Sequence, residues 1–128
     1  MAQAIIALNV PLLRGHINAR PVQLKRAAGR GDIVAMPMAT TRLLDSYFDV
    51  LFAFNRRPHP GEKKLLTLAA ALPLTPPDFA ADIERLLSLT SDTLGEVPGQ
   101  TERVVGALLE LLAAHGQLPP AWGEERSD

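Results

Sequence analysis

The residues with most chemistry to offer lie together in Asn55–Lys64, NRRPHPGEKK, where Arg56, Arg57, Lys63 and Lys64 bring four positive charges around His59 and Glu62. Guanidinium groups grip phosphate through paired N–H donors and ammonium groups add point charge, so such a cluster suits an anionic ligand. His59, between two prolines, could serve as a phosphate donor or as an acid/base group. Pro58, Pro60 and Gly61 give the same stretch a structural meaning, as the end of one helix and the start of another. A second basic set, Arg14, Arg20, Lys25, Arg26 and Arg30, has no acid among residues 1–31 and is the broadest compositional hint of anion binding. No exposed aromatics alternate with these cations, which disfavours stacking recognition of single strands.

Charge is divided along the chain although the formal net value is only −1. Residues 1–64 carry ten Lys/Arg against four Asp/Glu, and residues 65–128 carry three against ten. This division fits either a basic face opposite an acidic one or two halves that neutralise each other on packing.

Other routes to chemistry are sparse. There is no cysteine, which excludes disulfides, thiolate nucleophiles and cysteine-held zinc. His16, His59 and His115 stand far apart, with no pair at metal-ligand spacing, so no metal or cofactor is expected. Asp45 and Asp49 share a helical face with Arg42, and a surface ion pair between Arg42 and Asp45 is the expected use. Asp78 and Asp82 repeat the spacing. No nucleophile elbow, phosphate-binding glycine loop, HExxH or GxGxxG motif occurs.

These residues must be positioned by helices. Leucine and alanine are abundant, aromatic residues are 5% of the chain, and the eleven prolines fall mostly where helices would start or stop. The 128 residues fit one all-α domain, a bundle of about four to five helices over 1–118 with a charged tail over 119–128 that frays beyond Trp122. Ala2–Arg14 reads either as a short helix or as a buried strand. A short helix follows from Pro21 to the Gly29–Asp32 stop, and a long central one runs from Ile33 or Met38 to Phe54. Pro60–Leu72 is expected as a helix with Leu65, Leu68, Ala69 and Leu72 inward. The next starts at Thr75–Asp78 and turns Phe79, Ile83, Leu86 and Leu87 to the core. A polar connection leads to a last helix, Gln100–His115, stopped by Gly116. No run is apolar enough to span a bilayer and no secretory leader pattern is present, so a cytoplasmic protein is expected.

Three stretches carry a family resemblance: Arg30–Asp32, Phe52–Leu66 (FAFNRRPHPGEKKLL) and Ala71–Leu87 (ALPLTPPDFAADIERLL). Together, over roughly residues 20–90, they resemble the helical domain of unknown function that follows the catalytic module in a class of bacterial nucleotidyltransferases. That domain is similar to the substrate-binding bundles of kanamycin-nucleotidyltransferase-like enzymes. The resemblance implies an all-helical bundle that closes over an active site housed in another module, in the same chain or a separate one. It places Arg30 and Asp32 at the turn before the long helix, and Asn55, Arg56, Arg57, His59, Glu62 and Lys63 on the substrate- or phosphate-binding motif. The glycine-serine motif and the Asp-x-Asp magnesium pair of the catalytic module are absent, so the resemblance implies no nucleotide transfer by this chain alone.

Two alternatives stand beside a non-catalytic accessory domain. One is a metal-independent ribonuclease using His59 with Arg56 or Arg57. In the helical ribonucleases this would resemble, four to six residues separate the arginine from the histidine, whereas two separate Arg56 from His59. The other is a structural homodimer formed through the apolar faces of the long and last helices.

Overall fold

The computed structural model describes residues 1–14 and 19–119; His16 and the tail beyond Pro119, with Trp122, lie outside the described residues. Among the described residues the chain is all-α. In order come α1 (Ala2–Asn9), α2 (Arg20–Gly29), α3 (Ala35–Phe54), α4 (Leu65–Ala70), α5 (Phe79–Leu87) and α6 (Val97–Ala114). Short 3-10 turns at Val10–Leu12 and Ser91–Glu96 follow α1 and precede α6. No helix is long and apolar enough to cross a membrane, among the described residues.

α3 is the centre of the bundle. Twelve of its twenty residues are buried, more than one face can supply, and from Ser46 to Phe54 only Asp49 escapes burial. Leu43, Tyr47, Val50 and Leu51 are fully enclosed. Burying a leucine or valine contributes about 1.5–3 kcal/mol, so this stretch carries a large share of the folding free energy. α1 and α2 pack along α3, while α5 packs mainly on α6, which in turn meets α2 and α3. Val104, Val105, Leu108 and Leu112 give α6 the buried stripe that its sequence period demands.

The N-terminal segment resolves to helix: Ile6, Val10 and Leu13 are buried at helical spacing, and Pro11 sits in the 3-10 turn, where its missing N–H costs least. α2 and α3 agree with their sequence signals.

Several boundaries do not. The helix expected from Pro60 begins only at Leu65, because Gly61 (φ 91°) and Lys64 (φ 56°) are left-handed and break the helical path. Leu68, expected inward, is 44% exposed on so short a helix. α5 begins at Phe79 rather than under a Thr75 cap, since Asp78 at its start is also left-handed (φ 57°). Leu87 points outward and is 59% exposed. The polar connection before the last helix is itself ordered: Thr90 and Thr93 form a reciprocal capping box, and α6 then starts at Val97 with Pro98 in its first turn.

Candidate functional site: the junction after the central helix

α3 ends in a Schellman turn, the arrangement in which two N–H groups beyond the helix return to its last carbonyls. Arg57 N–H donates to Phe52 O at 3.0 Å and Arg56 N–H to Ala53 O at 2.9 Å. The residue between cap and exit must be left-handed, a role glycine fills without strain, yet here it is Arg56 with φ 56°. Asn55 braces the turn. Its Nδ2 donates to Leu51 O at 2.9 Å and Leu74 O at 2.8 Å, and its Oδ1 accepts from Leu74 N–H at 2.9 Å. The amide is therefore committed to holding the α4–α5 connection against the end of α3.

Beyond the brace, Arg56–Lys64 is exposed throughout. His59 is oriented by two contacts: its Nδ1 accepts from Gly61 N–H at 3.0 Å, and its ring lies 5.5 Å from Phe52. With Nδ1 accepting, Nε2 is the nitrogen left to donate, on an exposed residue. Among the described residues no carboxylate hydrogen-bonds to His59, so they assemble no base–orienter pair of a catalytic dyad. Arg56, Arg57, Lys63 and Lys64 enter none of the ion pairs found among the described residues. The segment thus presents cationic donors on a locally braced loop, chemistry suited to an anion rather than to proton transfer.

The tertiary structure adds a residue that sequence spacing did not connect to this motif. His115, at the end of α6, lines a cavity of about 200 Å³ with Arg56, Gln3 and Gln117 over the ring of Phe54. Its Nδ1 lies 3.1 Å from Leu111 O, so that nitrogen donates, and its ring meets Phe54 edge-on at 5.4 Å. Only the side-by-side arrival of α3 and α6 brings Arg56 and His115 together, and no local pattern encodes that.

Arg30 lies elsewhere. It and Asp32 sit before the first turn of α3, while Asn55–Lys63 follows its last, and twenty helical residues at about 1.5 Å each separate them by roughly 30 Å. Their roles are local. Asp32 Oδ1 accepts from Ala35 N–H at 3.0 Å and Val34 N–H at 3.3 Å, capping α3, and Arg30 approaches the carboxylate at 3.6 Å. The Ala35 N–H above all, then Val34 and Arg30, hold the Asp32 carboxyl below its usual range against an opposing desolvation effect.

The remaining charges are divided. Lys25 of α2 pairs with Glu102 of α6, joining the basic and acidic halves at one point. The Arg14 guanidinium donates to the Pro119 carbonyl. The expected Arg42–Asp45 pair does not form, and neither residue enters an ion pair among the described residues. Asp82 is buried and accepts from Arg103 Nε at 2.8 Å, clamping α5 to α6. Burial, with the Asp82 charge second, pushes the Tyr47 hydroxyl above the usual phenol range. No three His, Cys, Asp or Glu side chains gather as a metal would require, among the described residues. No family model, curated protein or solved structure matches the chain.

Proposed function

We propose that this chain is a non-catalytic helical binding domain whose α3–α4 junction holds a phosphate-bearing ligand for a nucleotidyltransferase module in the same or another chain. The observation that carries the ligand reading is the group Arg56, Arg57, Lys63 and Lys64, exposed and in no ion pair among the described residues, on a loop braced by Asn55 and His59. Two of these cations, Arg56 and Lys64, occupy left-handed backbone positions, where an ordinary side chain costs about 1 kcal/mol relative to glycine. Retaining large cations there is consistent with a role for the side chains themselves. The nucleotidyltransferase association rests on the resemblance of Phe52–Leu66 and its flanking stretches. In this reading Asn55 is the brace, Arg56 and Arg57 are the grip, and His59 and Lys63 complete the donor surface. Arg30, at the far end of α3, stands outside it.

Calorimetric titration of the purified chain with ATP and with inorganic triphosphate tests the assignment. Charge-assisted hydrogen bonds lost in an Arg56→Ala/Arg57→Ala variant should weaken binding at least about tenfold. Unchanged affinity in a variant with a native circular dichroism melt would remove the role assigned to the junction. A His59→Ala variant should retain most binding, and neither it nor the parent should cleave RNA.

A further inference from the structure

α3 packs on α1 and α2 while α5 packs on α6, and a trough lies open between α3 and α5. It consists of two clefts. One, of about 340 Å³, lies between Ile33 and Pro37 at the start of α3 and Thr90 and Ser91 before α6. The other, of about 430 Å³, lies between Leu44 and Phe48 of α3 and Leu65 of α4. Thr41 and Leu87 line both, so the clefts adjoin at these two side chains and lie end to end beside α3. Along α3 from Met36 to Phe48, at about 1.5 Å per residue, the two clefts together run roughly 18 Å, more than three turns of helix.

The groove collects apolar surface that the fold leaves uncovered. Ile33 and Leu87 are 64% and 59% exposed within it, and outside its lining Val34, just before α3, and Met38, in the first turn of α3, are 70% and 54% exposed. Concentrated exposure of this kind marks interaction surfaces. Charge is confined to one end: the first cleft is lined by no ionisable side chain, whereas the second carries Asp45, Glu62 and Lys64. Asp45 and Glu62 enter no ion pair among the described residues.

We propose that this groove docks an amphipathic helix of a partner protein, apolar along its length, with lysine or arginine at the end that meets Asp45 and Glu62. A helix suits the trough because it satisfies its own backbone hydrogen bonds, whereas an extended segment would need a sheet edge that no element among the described residues supplies. The excess of acid over base at one end sets the direction of docking, and Lys64 beside the carboxylates favours an acidic residue next to the partner's basic one. A second copy of the chain is a poorer occupant, since the apolar stripes of α2 and α6 are already turned into their own core and the exposed leucines of α1 and α4, Leu8 and Leu68, stand one to a helix.

Two synthetic 18-residue amphipathic helical peptides with the same leucine stripe, one ending in lysines and one in glutamates, are titrated by fluorescence anisotropy into the full chain. The lysine peptide should saturate at micromolar concentration and bind about fivefold or more tightly than the glutamate peptide. An Asp45→Lys/Glu62→Lys variant should reverse that preference. A Thr41→Arg/Leu87→Lys variant, altered only at exposed positions, should bind either peptide at least about tenfold more weakly while keeping its thermal melt. Absence of saturable binding, equal affinity for both peptides, or indifference to Thr41→Arg/Leu87→Lys overturns the proposal. Self-association of the unmodified chain that Leu87→Lys abolishes overturns it too, by making a second copy the occupant.

Discussion

The junctions on either side of α3 each close the C-terminus of a helix, α2 at one and α3 itself at the other, with different residues. Where α2 gives way to α3, Asp32 N–H returns to Ala27 O and Gly31 N–H to Ala28 O, both at 3.0 Å, with Gly31 left-handed at φ 67°. Where α3 gives way to the basic loop, the same pair of bonds forms around Arg56 at φ 56°. α6 ends like α2, with Gly116 at φ 66° and Gln117 N–H on Leu112 O at 2.8 Å. At Gly31 and Gly116 the residue type follows from the backbone. At Arg56 it does not, and the turn is held instead by the Asn55 brace on Leu74. The comparison separates a turn whose sequence is explained by folding from one whose sequence is not.

The largest break in that contrast should come from removing the brace that only the second turn has. Asn55→Ala loses three hydrogen bonds and should cost about 2 kcal/mol in urea unfolding, discounted for the partial exposure of the Leu74 backbone. Next comes Gly31→Ala. A Cβ there would meet only Leu94 Cδ1 at 3.9 Å, so the cost is torsional, about 1–1.5 kcal/mol, with no repacking. The reciprocal change, Arg56→Gly, should instead stabilise by about 0.5–1 kcal/mol while weakening triphosphate binding. A loss of stability there would mean that the Arg56 side chain serves the fold, as the glycines at the other two turns do.

The smallest effect concerns Asp32, whose cap distinguishes the first junction. Its folded pKa lies below the unfolded value of 3.8, so its stabilising contribution is fully present above that value. The contribution is lost as the pH falls through the lower, folded pKa. Asp32→Asn preserves a capping oxygen but not the titration, so the stability difference between the two proteins should shrink on acidification from pH 5 towards pH 2. A difference that stays constant over that range would place the pH dependence elsewhere.

How much of this was legible in the sequence depends on the range of the interaction. The class, the central helix and the Gly29–Asp32 stop could be read because periodicity, glycine and proline act locally. Residues 60–64 misled because Pro60 is a valid helix start by itself; the left-handed Lys64 four residues later decides where α4 begins. Leu68 and Leu87 follow a helical period yet face outward, since a period fixes which residues share a face but not whether another element covers it. The cluster at Asn55–Lys63 was visible in its residue types, but the bond from Asn55 to Leu74 was not, nor was the meeting of Arg56 with His115. Arg30 looked like part of the same site because sequence gives no sense of the length of α3 standing between them.

Asn55 and Leu74 stand nineteen positions apart in the chain and are joined by hydrogen bonds in both directions. The basic loop and α4 therefore leave the bundle and return to it at one closed neck. A segment hung from such a neck can lengthen, shorten or change composition at little cost in loop entropy, because doubling its length adds only about 0.6 kcal/mol. It is tied to the core by the buried Ala69 and Leu72, by the partly buried Leu65 and Leu66 packed against it, and by the His59 ring on Phe52. Exchanging the exposed loop between Arg56 and Lys64 would therefore alter the charge displayed at the neck while leaving Ala69 and Leu72 in the core.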